Sequence, residues 1–236
     1  MRIKITFILI LQGLITFSQQ SMGDVNSQLD IPTVRDIMRN TSINTITNYD
    51  TTIKGSPFIQ KDYESVKISK LDKRTFPTMY NAYRDFMEIS IDGLTQYLLP
   101  SKKLPYEIVF LSKEKTYKAF SFKNKKENEY GFFKIATKNK ISNLLVRERI
   151  TLKKAVKPNT SYGEYAPSNF KREKDTYFIN FKNNNIAIKL SKKRKSFFKA
   201  FSSHSKNIRE FVKKEKLTIK KEKDLAKIIT YYNTLL

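Results

Sequence analysis

The hydrophobic pattern changes period at Leu190, and this change constrains the fold of the 236-residue chain more than its composition does. Before Leu190, short alternating or apolar runs recur with turn signals between them. Tyr63–Ser69, Tyr106–Leu111, Thr116–Phe122, Tyr130–Thr137, Leu144–Thr151, Asp175–Phe181 and Ile186–Leu190 carry the aromatic and β-branched side chains that suit a pleated, half-buried surface. Met79–Ser90 reads as one longer strand, with Asp92-Gly93 as the turn after it. Lys123–Glu129 reads as a charged hairpin loop, and Lys182–Asn185 as a turn whose three Asn tolerate left-handed backbone. Beyond Leu190, apolar residues fall at helical spacing: Phe197, Phe198 and Phe201, then Ile208, Phe211 and Val212, then Leu225, Ile228, Ile229, Tyr232 and Leu236. Glu222 and Asp224 stand where the first turn of the last helix favours acids. The expected fold is mainly β, an antiparallel sheet, sandwich or barrel-like arrangement, with a C-terminal segment of two or three short amphipathic helices, α+β overall.

The segments follow from the same pattern. Residues 56–190 are the β-rich domain and 191–236 the basic helical C-terminal segment. Within the first, residues 155–174 carry Pro158, Gly163 and Pro167 and read as a long connection. Residues 19–55 are polar and read as a leader or linker, with Pro32 opening a short helix through Asn40. Residues 1–18 have the order of a signal peptide: Arg2 and Lys4, an apolar run from Ile5 to Phe17, and Thr16-Phe17-Ser18 as the cleavage site. That run is too short for a membrane span. Export is therefore expected, to the periplasm or an outer-membrane-associated site in preference to the extracellular space. The helical ending, without a β-type sorting domain, points the same way.

The chain has no Cys, one His and six Gly. Disulfides, thiolate catalysis, zinc ribbons and iron–sulfur clusters are excluded. A catalytic triad would have to use His204, whose Ser202-Ser203-His204-Ser205 context reads as helix caps. No Gly-rich phosphate loop, nucleophile elbow or metal loop is present, so no cofactor or metal is expected. Carboxylates remain. Asp85 and Glu88 are the candidates for a hydrolase, although on one strand they would point to opposite faces. Their alternative partners are Arg84, Arg74 or Lys73.

Charge is distributed unevenly. Residues 19–100 hold 9 Lys+Arg against 10 Asp+Glu, whereas 101–236 hold 35 against 12 and 191–236 hold 14 against 4. An anionic partner is expected from this asymmetry. Lipid head groups, an acidic glycan and an acidic protein are the candidates, and export disfavours nucleic acid. The run Lys192, Lys193, Arg194 and Lys195 ahead of Phe197-Phe198 is the candidate binding element, a basic amphipathic helix on an anionic surface. A second reading needs no partner. Lys outnumbers Arg by 36 to 10 and Asn reaches 17, as codon bias in an AT-rich genome would write. Specific carboxylate or phosphate recognition favours Arg.

The layout resembles uncharacterised exported proteins of Bacteroidetes, of the flavobacterial type. The residues that carry the likeness are Thr16-Phe17-Ser18-Gln19-Gln20, Gly55-Ser56-Pro57-Phe58, Tyr80-Asn81-Ala82-Tyr83-Arg84-Asp85 with Glu88, the 192–195 run, and Asp224-Leu225 with Tyr231-Tyr232-Asn233. The resemblance implies an exported β-rich protein with a helical tail and no assigned activity. The expected function is a non-enzymatic envelope protein that binds or scaffolds an anionic partner. A carboxylate-dependent hydrolase of an envelope polymer is the alternative.

Overall fold

The computed structural model describes residues 53–69, 74–91, 93–102, 106–124, 127–156, 165–181 and 184–236, all within one compact unit. The expected signal segment, the expected helix over 32–40 and all but the end of the 19–55 segment lie outside the described residues.

Among these residues the fold is mainly β, with a barrel-like sheet and a C-terminal segment of three helices. The strands are β1 (Glu64–Ile68), β2 (Phe76–Asn81), β3 (Phe86–Ile91), β4 (Leu94–Leu98), β5 (Glu107–Phe110), β6 (Lys115–Asn124), β7 (Glu127–Ile135), β8 (Ser142–Arg147), β9 (Ile150–Lys153), β10 (Asn169–Arg172), β11 (Thr176–Phe181) and β12 (Ile186–Lys189). Ten form one sheet in the order β12-β11-β8-β7-β6-β5-β1-β2-β3-β4, and β9 and β10 form a separate pair. Neighbours in the large sheet run antiparallel. The exception is β12, which also pairs in parallel with β6, at Ile186↔Ser121 and Ala187↔Phe122. That contact closes β6, β7, β8, β11 and β12 into a five-stranded ring.

Strand β6 belongs to both halves of the fold. Its first part, Lys115–Lys118, pairs with β5, and Ser121 and Phe122 pair with β12. Its alternation serves two cores at once. Tyr117 and Ala119 face the core of the open sheet, beside Phe110, Met87, Tyr80 and Phe132. Phe120 and Phe122 face the barrel interior, with Phe133, Leu145, Phe178 and Ala187. The four interior Phe rings meet edge to face, with centroids 4.9–6.1 Å apart. This is the favoured quadrupole geometry, and the rings pack the interior of the five-stranded ring.

The helices are α1 (Arg194–Lys199), α2 (Ser205–Lys214) and α3 (Glu222–Thr234). They bury most of the apolar positions that the spacing predicts, Phe197, Phe198, Phe201, Ile208, Val212, Leu225, Ile228, Ile229 and Tyr232, against Leu144 of β8 and Ile179 of β11, whereas Phe211 is half-buried and Leu236 exposed. Two polar contacts fix the docking. Asn233 Oδ1 accepts from the backbone N–H of Ile141 and Ser142 at 3.0 and 2.8 Å, while its Nδ2 donates to Ser142 O at 2.9 Å. Glu222 takes both its bonds from Lys134 Nζ at 2.9 Å. No described helix is long and apolar enough to cross a membrane.

Four expectations are corrected. Met79–Ser90 is a hairpin, β2 and β3, turning at Ala82–Asp85. Alternation alone could not show the turn, because Asp85 supplies the left-handed residue (φ 65°) in place of Gly. Leu144–Thr151 breaks at Glu148-Arg149 into β8 and β9. The connection 155–174 contains β10, which folds back on β9 in the register Arg172↔Ile150 to Asn169↔Lys153. Ser202–His204 is a 3-10 turn with no side-chain cap, and the His204 ring lies 5.8 Å from Tyr232.

The barrel interior predicts a sharp contrast in chemical denaturation. Phe133→Ala removes a ring that touches three others and should lower stability by about 3–5 kcal/mol. Ile188→Ala, on the solvent side of β12, should change it by no more than about 0.5 kcal/mol.

Candidate functional site

Strand β7 pairs with β8 only at Lys134↔Val146 and Ile135↔Leu145. At Phe132 the two strands part, and side chains take over the backbone's bonds. Arg147 Nη1 donates to Phe132 O at 2.9 Å, and Asp85 Oδ1 accepts from Phe132 N at 3.4 Å. The two side chains join through Arg147 Nη2 and Asp85 Oδ2 at 2.7 Å. Tyr80 Oη donates to Asp85 Oδ1 at 2.6 Å. Both ions are about nine-tenths buried, so each is expensive unless paired. Here the carboxylate has three donors.

Position explains how Arg147 fits. It ends β8 on the barrel-facing side, and its guanidinium lies 4.6 Å from the Phe122 centroid and 5.1 Å from that of Phe133. The space it uses belongs to Gly131, where an added Cβ would come within 2.0 Å of Nη1. A cation over two aromatic faces closes the barrel's end.

The next residue, Glu148, repeats the motif on the other side. Its buried carboxylate accepts from Tyr117 Oη and from Arg172 Nη2 at 3.1 Å. Arg172 also holds Asp175 at 2.5 Å. The rings of Tyr80 and Tyr117 lie 5.2 Å apart, so two Tyr–carboxylate–Arg chains run side by side through the junction of barrel and open sheet.

Above this junction opens a cleft of about 380 Å³, lined by Arg84, Arg149, Glu129, Tyr130, Leu99 and Pro100 together with the Arg147–Asp85 pair. Arg84 is set by the β2–β3 turn, its backbone N–H held by Asn81 Oδ1 at 2.9 Å. Arg149 donates Nη2 to Tyr83 O at 3.2 Å. Glu129 accepts from Asn124 Nδ2 at 2.8 Å. Four of the chain's ten Arg thus meet in one region.

The residues singled out from the sequence stand elsewhere or in other roles. Lys192, Lys193, Arg194 and Lys195 are exposed at the start of α1, with Arg194 over the Phe198 ring at 5.7 Å, and none lines the cleft. Asp85 is joined to Arg147, 62 residues away. Glu88 accepts from Tyr63 Oη. The sequence signal for the cleft was the Arg147-Glu148-Arg149 run in a chain that otherwise writes Lys, together with a scarce Gly at 131.

Removing Arg147 alone should be worse than removing the whole pair. Arg147→Met leaves Asp85 buried and unpaired and should lose about 3–5 kcal/mol. Adding Asp85→Asn should restore part of that loss in the double-mutant cycle, read by denaturant midpoints.

Burial, and then the adjoining carboxylates, push the phenols of Tyr80 and Tyr117 well above the ordinary value of 10.0. Burial and Glu88 push Tyr63 up to about 12. The fold therefore holds these protons more tightly than the unfolded chain does. Their contribution to stability is complete below pH 10 and falls as pH rises beyond it. In an alkaline titration followed by phenolate absorbance, Tyr80 and Tyr117 should ionise only as the fold opens. Tyr80→Phe/Tyr117→Phe should remove that late absorbance step.

No family model, curated protein or solved structure matches the chain.

Proposed function

We propose that the protein is an exported envelope protein that binds an anionic partner without transforming it, and that it resides in the periplasm or at the outer membrane. One observation carries the reading. The helical segment presents its basic side chains to water almost uncompensated. Among the described residues, Lys134–Glu222 is the only ion pair that includes a residue of 191–236, although that segment has 14 basic and 4 acidic residues. Lys192, Lys193, Arg194 and Lys195 lie together on this surface. The apolar face of their helix is spent on the core, with Phe197 and Phe198 fully buried. The association is therefore electrostatic and peripheral. Lysines on flexible stems offer charge without fixed geometry, which suits a polyanionic surface better than a single small ligand.

The hydrolase alternative draws less support. Its carboxylates are engaged, Asp85 by Arg147 and Tyr80, and Glu88 by Tyr63.

Anionic and neutral lipid vesicles, and a soluble polyuronate, should separate the candidate partners in co-sedimentation. Retention on one anionic material, strong at low ionic strength and weakened at physiological salt, is the expected result. A variant with Lys192, Lys193, Arg194 and Lys195 changed to Glu should lose most of it. Equal retention by the variant would remove the tail from the binding surface.

A further inference from the structure

We infer that strand β4 is a pairing edge for a second copy of this chain, and that two copies join there antiparallel about Gln96, continuing one sheet through both. The first ground is an edge left unguarded. Strand β4 ends the sheet order, and among the described residues it pairs with β3 alone. Alternate residues of such a strand turn their N–H and C=O groups away from their one neighbour. Edges of this kind are ordinarily blunted by lysine, proline or a bulge. Leu94–Leu98 has no charge and no proline, in a chain with 46 basic and 22 acidic residues. Its register with β3 runs unbroken from Leu94↔Ile91 to Leu98↔Met87, so no bulge turns it aside. The small sheet shows the usual guard: Lys153 on β9, and Lys171 and Arg172 on β10, are exposed.

The second ground is self-complementarity. Read outward from Gln96, the run Leu94-Thr95-Gln96-Tyr97-Leu98 is nearly the same in both directions. Its pairing with Ile91, Ile89 and Met87 places Leu94, Gln96 and Leu98 on the core face. Leu98 is 2 % exposed there, whereas Leu94 is 66 % exposed, a core-face leucine with no cover. A two-fold axis at Gln96 sets each Leu94 opposite the other copy's Leu98, and each Thr95 opposite the other copy's Tyr97. The two Gln96 meet each other, and each amide has both a donor and an acceptor to offer. The same axis maps the free backbone donors of one edge onto the free acceptors of the other.

Charge selects the same occupant. Residues 76–98 hold one basic residue against three acidic, in a chain of formal charge +24. The basic helical segment packs on β8 and β11, well separated from β4 in the sheet order. Two copies that meet at β4 therefore keep most of their like charge out of the contact. With no cation in the strand, this edge offers nothing to a polyanion. A pairing of five residues is small beside the roughly 1,600 Å² of a standard interface, so the association is weak, with a dissociation constant of about 1 μM or more.

The test is sedimentation equilibrium of the full protein, with the register read from single cysteines. The apparent mass should rise from that of one chain, 27.7 kDa, towards twice that value as concentration goes from about 1 to about 500 μM. Leu94→Lys, at a side chain already exposed, should leave the circular dichroism spectrum unchanged and weaken association about tenfold or more. The chain has no Cys, so an introduced one reports its own position. Opposed residues on antiparallel strands lie about 4.5–5.5 Å apart at Cα, within reach of a disulfide. Gln96→Cys should therefore give a covalent dimer on mild oxidation, while Leu94→Cys, though more exposed, should give little. The variant with Lys192, Lys193, Arg194 and Lys195 changed to Glu should associate as the parent does, so this edge and the lysine tail can fail independently. A single-chain mass at every concentration would leave the edge to a different partner and overturn the assignment. Undiminished association of folded Leu94→Lys, no cross-link through Gln96→Cys, or equal cross-linking by both cysteine variants would each overturn it as well.

Discussion

Before Lys134, strand β7 has no backbone neighbour on its β8 side, and at Phe132 the ion pair of Arg147 and Asp85 stands in for one. This substitution lets one sheet become two structures. Continuous pairing of β7 with β8 would carry the sheet straight on. Parting them lets β8 and β11 curl round until β12 meets β6. A buried ion pair is poor evidence of stability, since desolvation opposes the Coulombic gain. Here it does a geometric task that an apolar pair could not, because the freed N–H and C=O of Phe132 need polar partners. The device depends on absence as well: Gly131 must lack a side chain for Arg147 to lie there. The two positions are coupled, and neither can change alone without leaving a clash or a void.

The two basic regions differ in kind. In the cleft, charges are few, mostly arginine, and set by buried carboxylates and turns. On the helices, charges are many, almost all lysine and solvated, so strength comes from number and fades with salt.

How much was legible follows from where periodicity and burial agree. The switch at Leu190 marked the helices because Phe197, Phe198, Ile208 and Leu225 each sit on a single buried face. The strands β1, β5, β6 and β12 were marked by period-two patterns, β1 and β5 over the core of the open sheet, β12 over the barrel interior and β6 between the two. Asp85 was misplaced within a strand because a left-handed turn residue other than Gly leaves no alternation to break. The kink at Glu148-Arg149 was hidden among apolar neighbours. Strand β10 was missed because Asn169, Phe170, Lys171 and Arg172 cover a core edge and bury little themselves. The cleft was out of reach, since it joins residues from 84 to 149 through tertiary pairing alone. Yet the contrast of ten Arg with 36 Lys was in plain view, and in a lysine-writing chain the arginines are the residues to follow.

The parallel contact of β12 with β6 bears on the order in which the chain assembles. It joins Ile186 to Ser121 across the three strands between them, whereas β6 and β7 zip through a short hairpin. Loop-closure entropy places the distant contact late. Until then the far half of β6 and the side of β12 away from β11 present unpaired backbone beside Phe120 and Phe122, edges able to pair with another chain. The exposed Ile186 and Ile188 lie on that last strand. The slow step of folding and the main route to aggregation are then one event, and dilution during refolding should favour closure over association.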